Sequence, residues 1–546
     1  MFDQPTEHFT DQEIALLRPF VTNVDRPIFC LRNLPEVVKG ALFARYSRST
    51  KSLRRLLLDE FINEPESGFA AIVSAIGDSP AAQLIAARQA EAFYDRVLIG
   101  YGDDSVAELG GAHLACEGIS NIAAKLLEDN RIGISPLEKS TRYVRFDLPG
   151  PQGYPYLREP TIMSSPFAPQ YTTVMDNLFA TYRALLTPVQ EWLQQQYPRD
   201  EATSLRAYRN TIQAKALDLL RGLLPMATQT NVGLFGNGRA FEYLIVKLTA
   251  SPLAEAQALA DAIQTELDQV IPAFVKRARS DRGRAYAAYL ASTRAQVAAV
   301  AERLPPMPER PLAPEQAVSV QLVEYDPDAE WKLAAAVLYP HLDLPLTTVR
   351  DIVTGLTTAE RQALIAAAVG ERASRFHRPG RAFEEPFYTF DILADIGAYR
   401  DLQRHRMLTQ DRQRFTVMHG YIIPSELEQI GVADRYRAAL EQAAELVTIL
   451  EPIFPNEAQY AVPFAFRVRW RMKLNLREAY HLIELRSARQ GHPTYRRIAQ
   501  MMFHAIQSVH PTLAAGMQFV DHNEYDLERL AAEQRLDQKR GVKGEE

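Results

Sequence analysis

Several segments of this chain carry apolar residues at the three- and four-residue spacing of a helix face. Residues 254–279 and residues 433–450 show the pattern most clearly, with frequent alanine and leucine. The segment Leu474 to Leu485 shows it too, and so does a pattern that starts near Phe390 and ends at Arg404-His405-Arg406. Both halves of the chain are therefore predicted to be rich in helix.

Short runs of β-branched and aromatic residues predict a few strands. Residues 142–147 alternate in part, and residues 415–423 end before Pro424. Around Trp470, arginines alternate with apolar residues as in a strand. Many helices with few strands predict the α+β class, repeated in each half, with a small mixed or antiparallel sheet in each repeat.

A proline-rich segment divides the chain. Five prolines lie within the twelve residues 303–314, which excludes a helix and favours an extended spacer. We therefore expect a helical leader over residues 1–85, a first repeat over 86–302, a linker over 303–318 and a second repeat over 319–546.

The composition is that of an ordinary globular protein. With 546 residues, of which 47% are apolar and 23% charged, the chain is long enough for two cores. No run of about 18 apolar residues predicts a membrane span, and the acidic, amphipathic N-terminus does not resemble a secretory signal. The net charge of -6 argues against a nucleic-acid binder, which needs a cationic surface. The two cysteines, Cys30 and Cys116, are expected to be buried thiols of a cytoplasmic protein, because their separation suits neither a metal cluster nor a disulfide framework.

One motif occurs twice, and each copy is damaged in a different place. The first copy reads Ser135-Pro-Leu-Glu138-Lys-Ser140-Thr-Arg142-Tyr143, and the second reads Arg404-His405-Arg406-Met-Leu-Thr409-Gln-Asp411-Arg412-Gln-Arg414. Together they resemble the motif RHRxxSxNExSxRY of the flavin-dependent thymidylate synthases, the ThyX family. The first copy has Asn130-Arg131-Ile132 in place of RHR, and the second lacks most of the tail.

The resemblance extends to both sides of the motif. Upstream, Gly102 to Glu108 is similar to the family segment GHxSVxEH, and Glu384 to Phe390 is similar to EHxxFTF, although family histidines are replaced in both. The downstream positions that match the family pattern are Arg221, Asn237 and Arg239 in the first half, and Asn475, Arg477, Arg486 and His492 in the second. Since neither half holds the full set, we expect one site composed from both repeats.

The resemblance implies a reductive methylation, in which FAD, reduced by NADPH, works with methylenetetrahydrofolate to convert dUMP to dTMP. Arg486 matches the family arginine that polarises the pyrimidine ring. The positions implied in substrate binding are Glu138, Ser140, Arg142, Arg221 and Gln403. The positions implied in FAD binding are Ser105, Glu108, Arg404, His405, Arg406, Asn475, Arg477 and His492. No metal is implied.

Other interpretations stay open at this point. ThyX enzymes are homotetramers, so the resemblance implies a homodimer of tandem chains that forms a pseudo-tetramer. The chain could instead modify C5 of another uridine nucleotide, or be a non-catalytic descendant that binds a nucleotide or flavin. Arginines that end a helix are common because they oppose its dipole, and Glu108 and Glu384 could simply be carboxylates at helix N-termini. An arginine such as Arg486 within an apolar helix must still find an anion or solvent.

Overall fold

The computed structural model describes residues 7–47, 49–63, 106–305 and 318–540. Its α-helices are α1 Asp11–Leu17, α2 Glu36–Tyr46, α3 Leu53–Leu56, α4 Asn121–Glu128, α5 Pro160–Met163, α6 Ala168–Gln196, α7 Leu205–Leu220, α8 Gly238–Thr249, α9 Ala254–Leu267, α10 Pro272–Val275, α11 Asp281–Glu302, α12 Ala329–Leu338, α13 Leu346–Thr354, α14 Thr358–Val369, α15 Ile396–Leu402, α16 Ser425–Ile430, α17 Ala433–Leu450, α18 Leu476–Arg486, α19 Pro493–Val509, α20 Pro511–Ala514 and α21 Leu530–Arg540. Its strands are β1 Gly111–Ser120, β2 Ile134–Glu138, β3 Gln229–Asn237, β4 Ser319–Tyr325, β5 Phe387–Asp395, β6 Leu408–Arg412 and β7 Arg467–Asn475.

The chain divides into two compact units, each built from separate stretches of sequence. Unit 1 takes its described residues from 1–117, 126–138 and 231–307, and unit 2 takes its described residues from 118–125, 139–230 and 308–546. Residues 139–230 of the predicted first repeat therefore belong to unit 2. The predicted boundaries near residues 85, 302 and 318 fall in or beside ranges that the structure does not describe, so that division stays a prediction.

Unit 1 contains most of a three-stranded sheet in the order β1-β3-β2. Strands β2 and β3 run antiparallel, with Ile134 opposite Gly236 and Glu138 opposite Val232. Along β3 the residues are alternately buried and exposed, which is the period-two pattern of a strand with one covered face. The Asn237 side chain then accepts a hydrogen bond from the backbone N of Ala240 and caps α8.

Unit 2 contains a four-stranded antiparallel sheet in the order β4-β5-β7-β6. The central strand β5 is buried along most of its length, which explains its nearly continuous apolar sequence. On β7, the Trp470 ring is 1% exposed and contacts Tyr399 edge-on, with 5.3 Å between the ring centroids. Asn475 caps α18 by accepting a hydrogen bond from the backbone N of Glu478.

The two halves repeat one order of elements. The series β1-α4-β2, followed later by β3-α8, has its counterpart in β5-α15-β6, followed by β7-α18. In each sheet the last of these strands lies between the other two, and in each half an asparagine caps the helix that follows it. The α+β class and the duplication expected from the motifs are confirmed.

The local predictions had mixed outcomes. The helix at residues 433–450 is confirmed with the same bounds, and the strand around Trp470 is β7. The helix predicted over 254–279 ends at Leu267, and α10 starts separately at Pro272, because proline cannot continue a preceding helix. The helix predicted from Phe390 starts only at Ile396, since residues 387–395 form β5 and Asp395 caps the helix.

Both of the other predicted strands are wrong. Residues 142–147 form a turn and coil, because the backbone N of Val144 bonds to the carbonyl oxygen of Ser140 at 3.1 Å and closes a turn. Residues 415–423 are coil except for one bridge from Tyr421 to Phe466.

Two expectations from composition can also be compared with the structure. Cys116 is buried, and burial raises the pKa of its thiol to about 11. Cys30 is exposed, against expectation. It lies in a loop, where its backbone N and O atoms form hydrogen bonds with Thr22. In the part of the chain that the structure describes, no helix is both long and apolar enough to cross a membrane.

Candidate active site in unit 2

The Tyr495 ring, in the first turn of α19, lies against arginines from both repeats. The Cζ atom of Arg142 is 5.8 Å from the ring centroid, and the Cζ atom of Arg486 is 5.7 Å from it. Arg142 Nη1 also donates a hydrogen bond to the tyrosine hydroxyl at 3.1 Å. The two distances from Cζ to the ring centroid are within the range of a cation–π contact. Unit 2 of a single chain therefore brings together one arginine from each of the two repeats.

A buried carboxylate fixes the position of Arg142. Its Nε and Nη2 atoms donate to the two Asp218 oxygens at 2.7 and 2.6 Å, a bidentate pair in which both residues are buried. Burial alone raises the pKa of the Asp218 carboxyl, but the Arg142 guanidinium outweighs burial and holds that pKa well below its usual range. Asp218 therefore stays ionised and holds Arg142 against Tyr495.

Arg221 is a second buried cation of this region. It caps the C-terminus of α7, is 4% exposed, and places Nη1 3.3 Å from a carboxylate oxygen of Asp401. Its Nη2 is buried and has no hydrogen-bond partner among the described residues. Gly397 makes room for this guanidinium, because a Cβ there would lie 3.0 Å from Nη2. A buried donor without a partner is costly, and it suits a site that binds an anion.

Arginines outnumber carboxylates around Asp401. Burial raises the pKa of this carboxyl, but four arginines outweigh burial and hold its pKa well below the usual range. The four arginines are Arg221, Arg142, Arg404 and Arg486. The carboxylates of the region are Asp401, Asp218 and Asp395, and burial raises the pKa of Asp395. The four arginines therefore leave an excess of positive charge, which favours a ligand with a phosphate group.

A chain of buried side chains orients Arg486. His405 Nε2 accepts a hydrogen bond from Arg486 Nε at 2.9 Å, and Nδ1 of the same ring lies 2.7 Å from Glu478 Oε1. Burial lowers the pKa of His405 to about 4, so the ring is neutral near pH 7. Because Nε2 accepts, the single ring proton is on Nδ1 and is donated to Glu478.

The same carboxylate also faces a second histidine. His481 Nδ1 lies 3.3 Å from Glu478 Oε2. Burial raises the pKa of Glu478, but the hydrogen bonds of the two histidines outweigh burial and lower this pKa to about 2. His405, Glu478 and His481 are close enough to bind a metal ion together. However, both ring nitrogens of His405 are already used in hydrogen bonds. The arrangement therefore favours the positioning of Arg486 over metal binding.

The family of this chain follows from its sequence. The profile of the family described as thymidylate synthase complementing protein matches residues 57–273 and 321–512. The chain belongs to this family. The two matched regions confirm the ThyX resemblance of the motifs and its occurrence in tandem.

Three similar proteins illustrate the range of relatives. A UPF0159 protein of Chlamydia pneumoniae is 44% identical over 531 residues, covering 97% of this chain and 98% of the relative. A UPF0159 protein of Thermoplasma acidophilum is 32% identical over 529 residues, covering 92% of this chain and 99% of the relative. A solved structure of a UMP/dUMP methylase, PolB from Streptomyces cacaoi bound with 5-Br dUMP, covers 38% of this chain and 97% of its own, with 18% identity and a TM-score of 0.30. A likeness of that size carries no argument about this chain.

The remaining residues predicted to bind the nucleotide lie in different settings. Ser140 shapes the turn before Arg142, since its Oγ accepts from the Arg142 backbone N at 3.2 Å. Gln403 is buried and donates from Nε2 to the carbonyl oxygen of Lys125 at 3.0 Å. Glu138 is buried on β2 and belongs to unit 1. Its role in nucleotide binding stays a prediction.

Three of the residues predicted to bind FAD are used by the ThyX fold itself. His405 holds Arg486, and Asn475 caps α18. His492 is the N-cap of α19, and burial, followed by the charge of Arg221, holds its pKa well below the ordinary value. His492 therefore lies near the buried arginines Arg221 and Arg142.

The other cations predicted to bind FAD are three arginines of unit 2. Arg406 is exposed just after α15, and Arg477 is half-exposed at the start of α18, where it lies 3.4 Å from Glu384 Oε1 and donates Nε to the carbonyl oxygen of Pro379. Arg404 lies near enough to Asp401 and Arg486 to influence both. Guanidinium groups are the donors that commonly bind the diphosphate of a dinucleotide, and the role of these three arginines in FAD binding stays a prediction.

Unit 1 holds the counterpart positions of the first repeat. Arg239 Nη1 pairs with Glu108 at 2.8 Å, as Arg477 pairs with Glu384 in unit 2. Arg239 and Glu108 line a cavity of about 470 Å³ in unit 1. Relative to the capping asparagines, Ala240 and Leu248 stand where the second repeat has Glu478 and Arg486. The first repeat therefore lacks counterparts of both Arg486 and the carboxylate that holds His405. Ser105, also predicted to bind FAD, lies outside the described residues.

The sequence interpretation missed Asp218, Asp401, Glu478 and Tyr495. Two of them lie one helical turn from residues that it singled out, since Asp218 precedes Arg221 by three positions and Tyr495 follows His492 by three. That spacing was an available signal, because residues three apart share one helix face.

Proposed function

We propose that this chain is a methyltransferase of the ThyX type that acts on C5 of a uridine nucleotide. In the specific form of the proposal, dUMP is converted to dTMP, methylenetetrahydrofolate donates the carbon, and NADPH reduces a bound FAD. The observation that carries the proposal is the placement of Arg142 and Arg486 on the single ring of Tyr495. Arg142 comes from the motif copy of the first repeat, and Arg486 comes from a family position downstream of the motif in the second repeat.

The buried cations supply the binding energy for a phosphorylated ligand. Arg142 is held rigid by Asp218, and Arg221 keeps Nη2 without a partner among the described residues. Charge-assisted hydrogen bonds to phosphate oxygens are about twice as strong as neutral ones, and they are stronger still where water is excluded. A nucleotide phosphate would offset the positive excess that the two aspartates leave.

Arg486 supplies electrostatic stabilisation at the pyrimidine ring. His405 takes its Nε–H and Tyr495 takes a further hydrogen bond, and the donors that remain on the Nη groups would bind carbonyl oxygens of a uracil ring. As C5 reacts, negative charge develops on those oxygens, and a guanidinium fixed in advance stabilises this charge without reorganisation. Because His405 is neutral, it orients the arginine without adding a competing positive charge.

FAD, when bound, supplies the redox chemistry of the methylation. The residues of this chain that would hold it through its diphosphate are Arg404, Arg406 and Arg477. Their location in unit 2, which also contains the Tyr495 site, supports a composite site within one chain.

Spectroscopy and binding test the proposal. Purified protein, with and without added FAD, should show flavin absorbance after gel filtration, and calorimetry should detect dUMP binding. Turnover with FAD, NADPH and methylenetetrahydrofolate should then give dTMP from dUMP. Failure to bind FAD in a titration that detects micromolar affinity would defeat the enzyme hypothesis, and turnover of UMP alone would replace dUMP with a ribonucleotide substrate.

A further inference from the structure

The C-terminal segment of the chain lies beyond the region that the family profile matches. That match ends at residue 512, whereas α21 runs from Leu530 to Arg540. The segment is anchored to α7 and the turn before it. Lys215 Nζ and Glu528 Oε1 form a buried ion pair at 3.0 Å, and Asp537 accepts hydrogen bonds from Ser204 and Arg206. These contacts hold the residues just before α21 against α7.

Arg529 follows the Glu528 anchor directly and is itself buried. Its exposure is 7%, and its Nε and Nη1 atoms are buried without a hydrogen-bond partner among the described residues. Its Cζ atom lies 3.9 Å from the centroid of the Tyr143 ring, which fixes the guanidinium plane by a cation–π contact. A buried guanidinium with unused donors is costly, so a fold that keeps one suggests a ligand that completes it.

The groups around Arg529 do not neutralise it. Burial lowers its pKa first, and the charge of Arg142 lowers it further, while Asp218 opposes both. Asp218 already gives both oxygens to Arg142. Asp218 is thus the ion-pair partner of Arg142, whereas Arg529 only lies within reach of its charge. The missing partner is an anion with several acceptor oxygens.

We propose that Arg529 is a binding residue for the phosphate group of the nucleotide substrate, supplied by a segment outside the family core. The inference rests on the proposed function and names one further residue of the same site. The unused Nη1 donor suits one oxygen of a phosphate monoester. Tyr143, from the tail of the first motif, holds the guanidinium that the C-terminal segment provides.

The experiment compares nucleotide and nucleoside binding in matched variants. Calorimetry with dUMP and with deoxyuridine is performed on the wild-type chain, Arg529→Gln, Arg529→Lys and Arg535→Gln. Arg535 is exposed on α21, which follows Arg529 directly, and controls for the loss of one charge. The dissociation constant of dUMP should rise about tenfold to a hundredfold in Arg529→Gln, as expected for a charge-assisted hydrogen bond. It should rise less in Arg529→Lys and stay unchanged in Arg535→Gln, and deoxyuridine binding should be equal in all four proteins.

Thermal unfolding adds a second measurement. Removal of an unpartnered buried charge should leave the melting temperature of ligand-free Arg529→Gln equal to or above that of the wild type, while the upward shift caused by dUMP shrinks. A dUMP affinity that is the same in Arg529→Gln and wild type overturns the inference but leaves the proposed function intact. An equal loss for dUMP and deoxyuridine also overturns it, since the effect is then not on phosphate.

If the wild type binds no dUMP, the proposed function fails, and inorganic phosphate decides the inference separately. Stabilisation of the wild type by millimolar phosphate that is lost in Arg529→Gln, but kept in Arg535→Gln, supports a phosphate site at Arg529. Equal stabilisation of the two variants, or none of the wild type, rejects it.

Discussion

His405 Nε2 accepts a hydrogen bond from Arg486 Nε at 2.9 Å, and the other nitrogen of the same ring faces Glu478. This contact joins the intact RHR of the second motif to the arginine that the family resemblance associates with the pyrimidine. His405 was expected to bind FAD. The geometry instead favours a positioning residue, because both of its nitrogens are used inside the protein.

Replacement of His405 should therefore change turnover more than substrate affinity. His405→Ala removes the acceptor that orients Arg486, so we expect kcat to fall about tenfold to a hundredfold, in proportion to one lost buried hydrogen bond, while KM for dUMP changes less. His405→Gln keeps a neutral acceptor and should recover part of the rate. The exposed His522→Ala serves as the control. Steady-state kinetics that show a rise in KM with unchanged kcat contradict this role.

His405 should also make stability depend on pH. Its folded pKa, about 4, lies below the ordinary histidine value of 6.5 in the unfolded chain, so protons bind preferentially to the unfolded state between these values. The contribution of His405 to the free energy of unfolding is full above pH 6.5 and decreases as the pH falls towards 4. Between pH 6.5 and pH 5 the loss should be about 2 kcal/mol. Urea unfolding of wild type and His405→Gln should show a smaller loss in the variant, and parallel curves speak against a buried neutral histidine.

Arg142 should be needed for nucleotide binding. Arg142→Ala is expected to weaken dUMP binding by about 1.5–3 kcal/mol, because a charge-assisted contact is lost. The corresponding position of the second motif, Thr416, provides a matched control, and Thr416→Ala should leave the affinity unchanged. Calorimetry gives both values. Equal losses in the two variants are incompatible with the proposed division of work between the repeats.

The same substitution should reduce stability, for a separate reason. Without Arg142, the buried Asp218 carboxylate has lost its bidentate partner, which commonly costs about 3–5 kcal/mol. The double variant Arg142→Gln with Asp218→Asn removes both charges and should recover much of this loss. Chemical unfolding at pH 7 compares the two. If the double variant is less stable than Arg142→Ala, the pair is not what determines stability at this position.

The sequence predicted the class, the duplication and the family, because those depend on repeated motifs and helical periodicity. It did not predict the turn at residues 142–147. The Arg142 side chain in that turn is held by Asp218, which lies 76 positions away along the chain. Local alternation was a poor guide there, because tertiary contacts override propensity.

The candidate site was predictable in its arginines but not in the groups that hold them. Glu478 resembles an ordinary first-turn helix carboxylate in sequence, and only the return of β6 and β7 to one sheet places it beside His405. Arg529 lies outside every motif that the sequence offered. Its significance depends on burial, which no local pattern of residues 526–530 indicates.

The composite site gives the last prediction. Arg142 and Arg486 lie on one tyrosine ring within unit 2 of a single chain, so an intact site needs both residues in the same polypeptide. Arg486→Ala should abolish most turnover while FAD and dUMP remain bound. A mixture of Arg142→Ala and Arg486→Ala proteins, incubated for subunit exchange, should regain no activity, because no chain in the mixture carries both arginines. The double variant should be no slower than the poorer single variant, since residues that act as a unit are not additive. Recovery of a substantial fraction of wild-type activity on mixing places the site between two chains, and unchanged turnover in Arg486→Ala removes that arginine from the chemistry altogether.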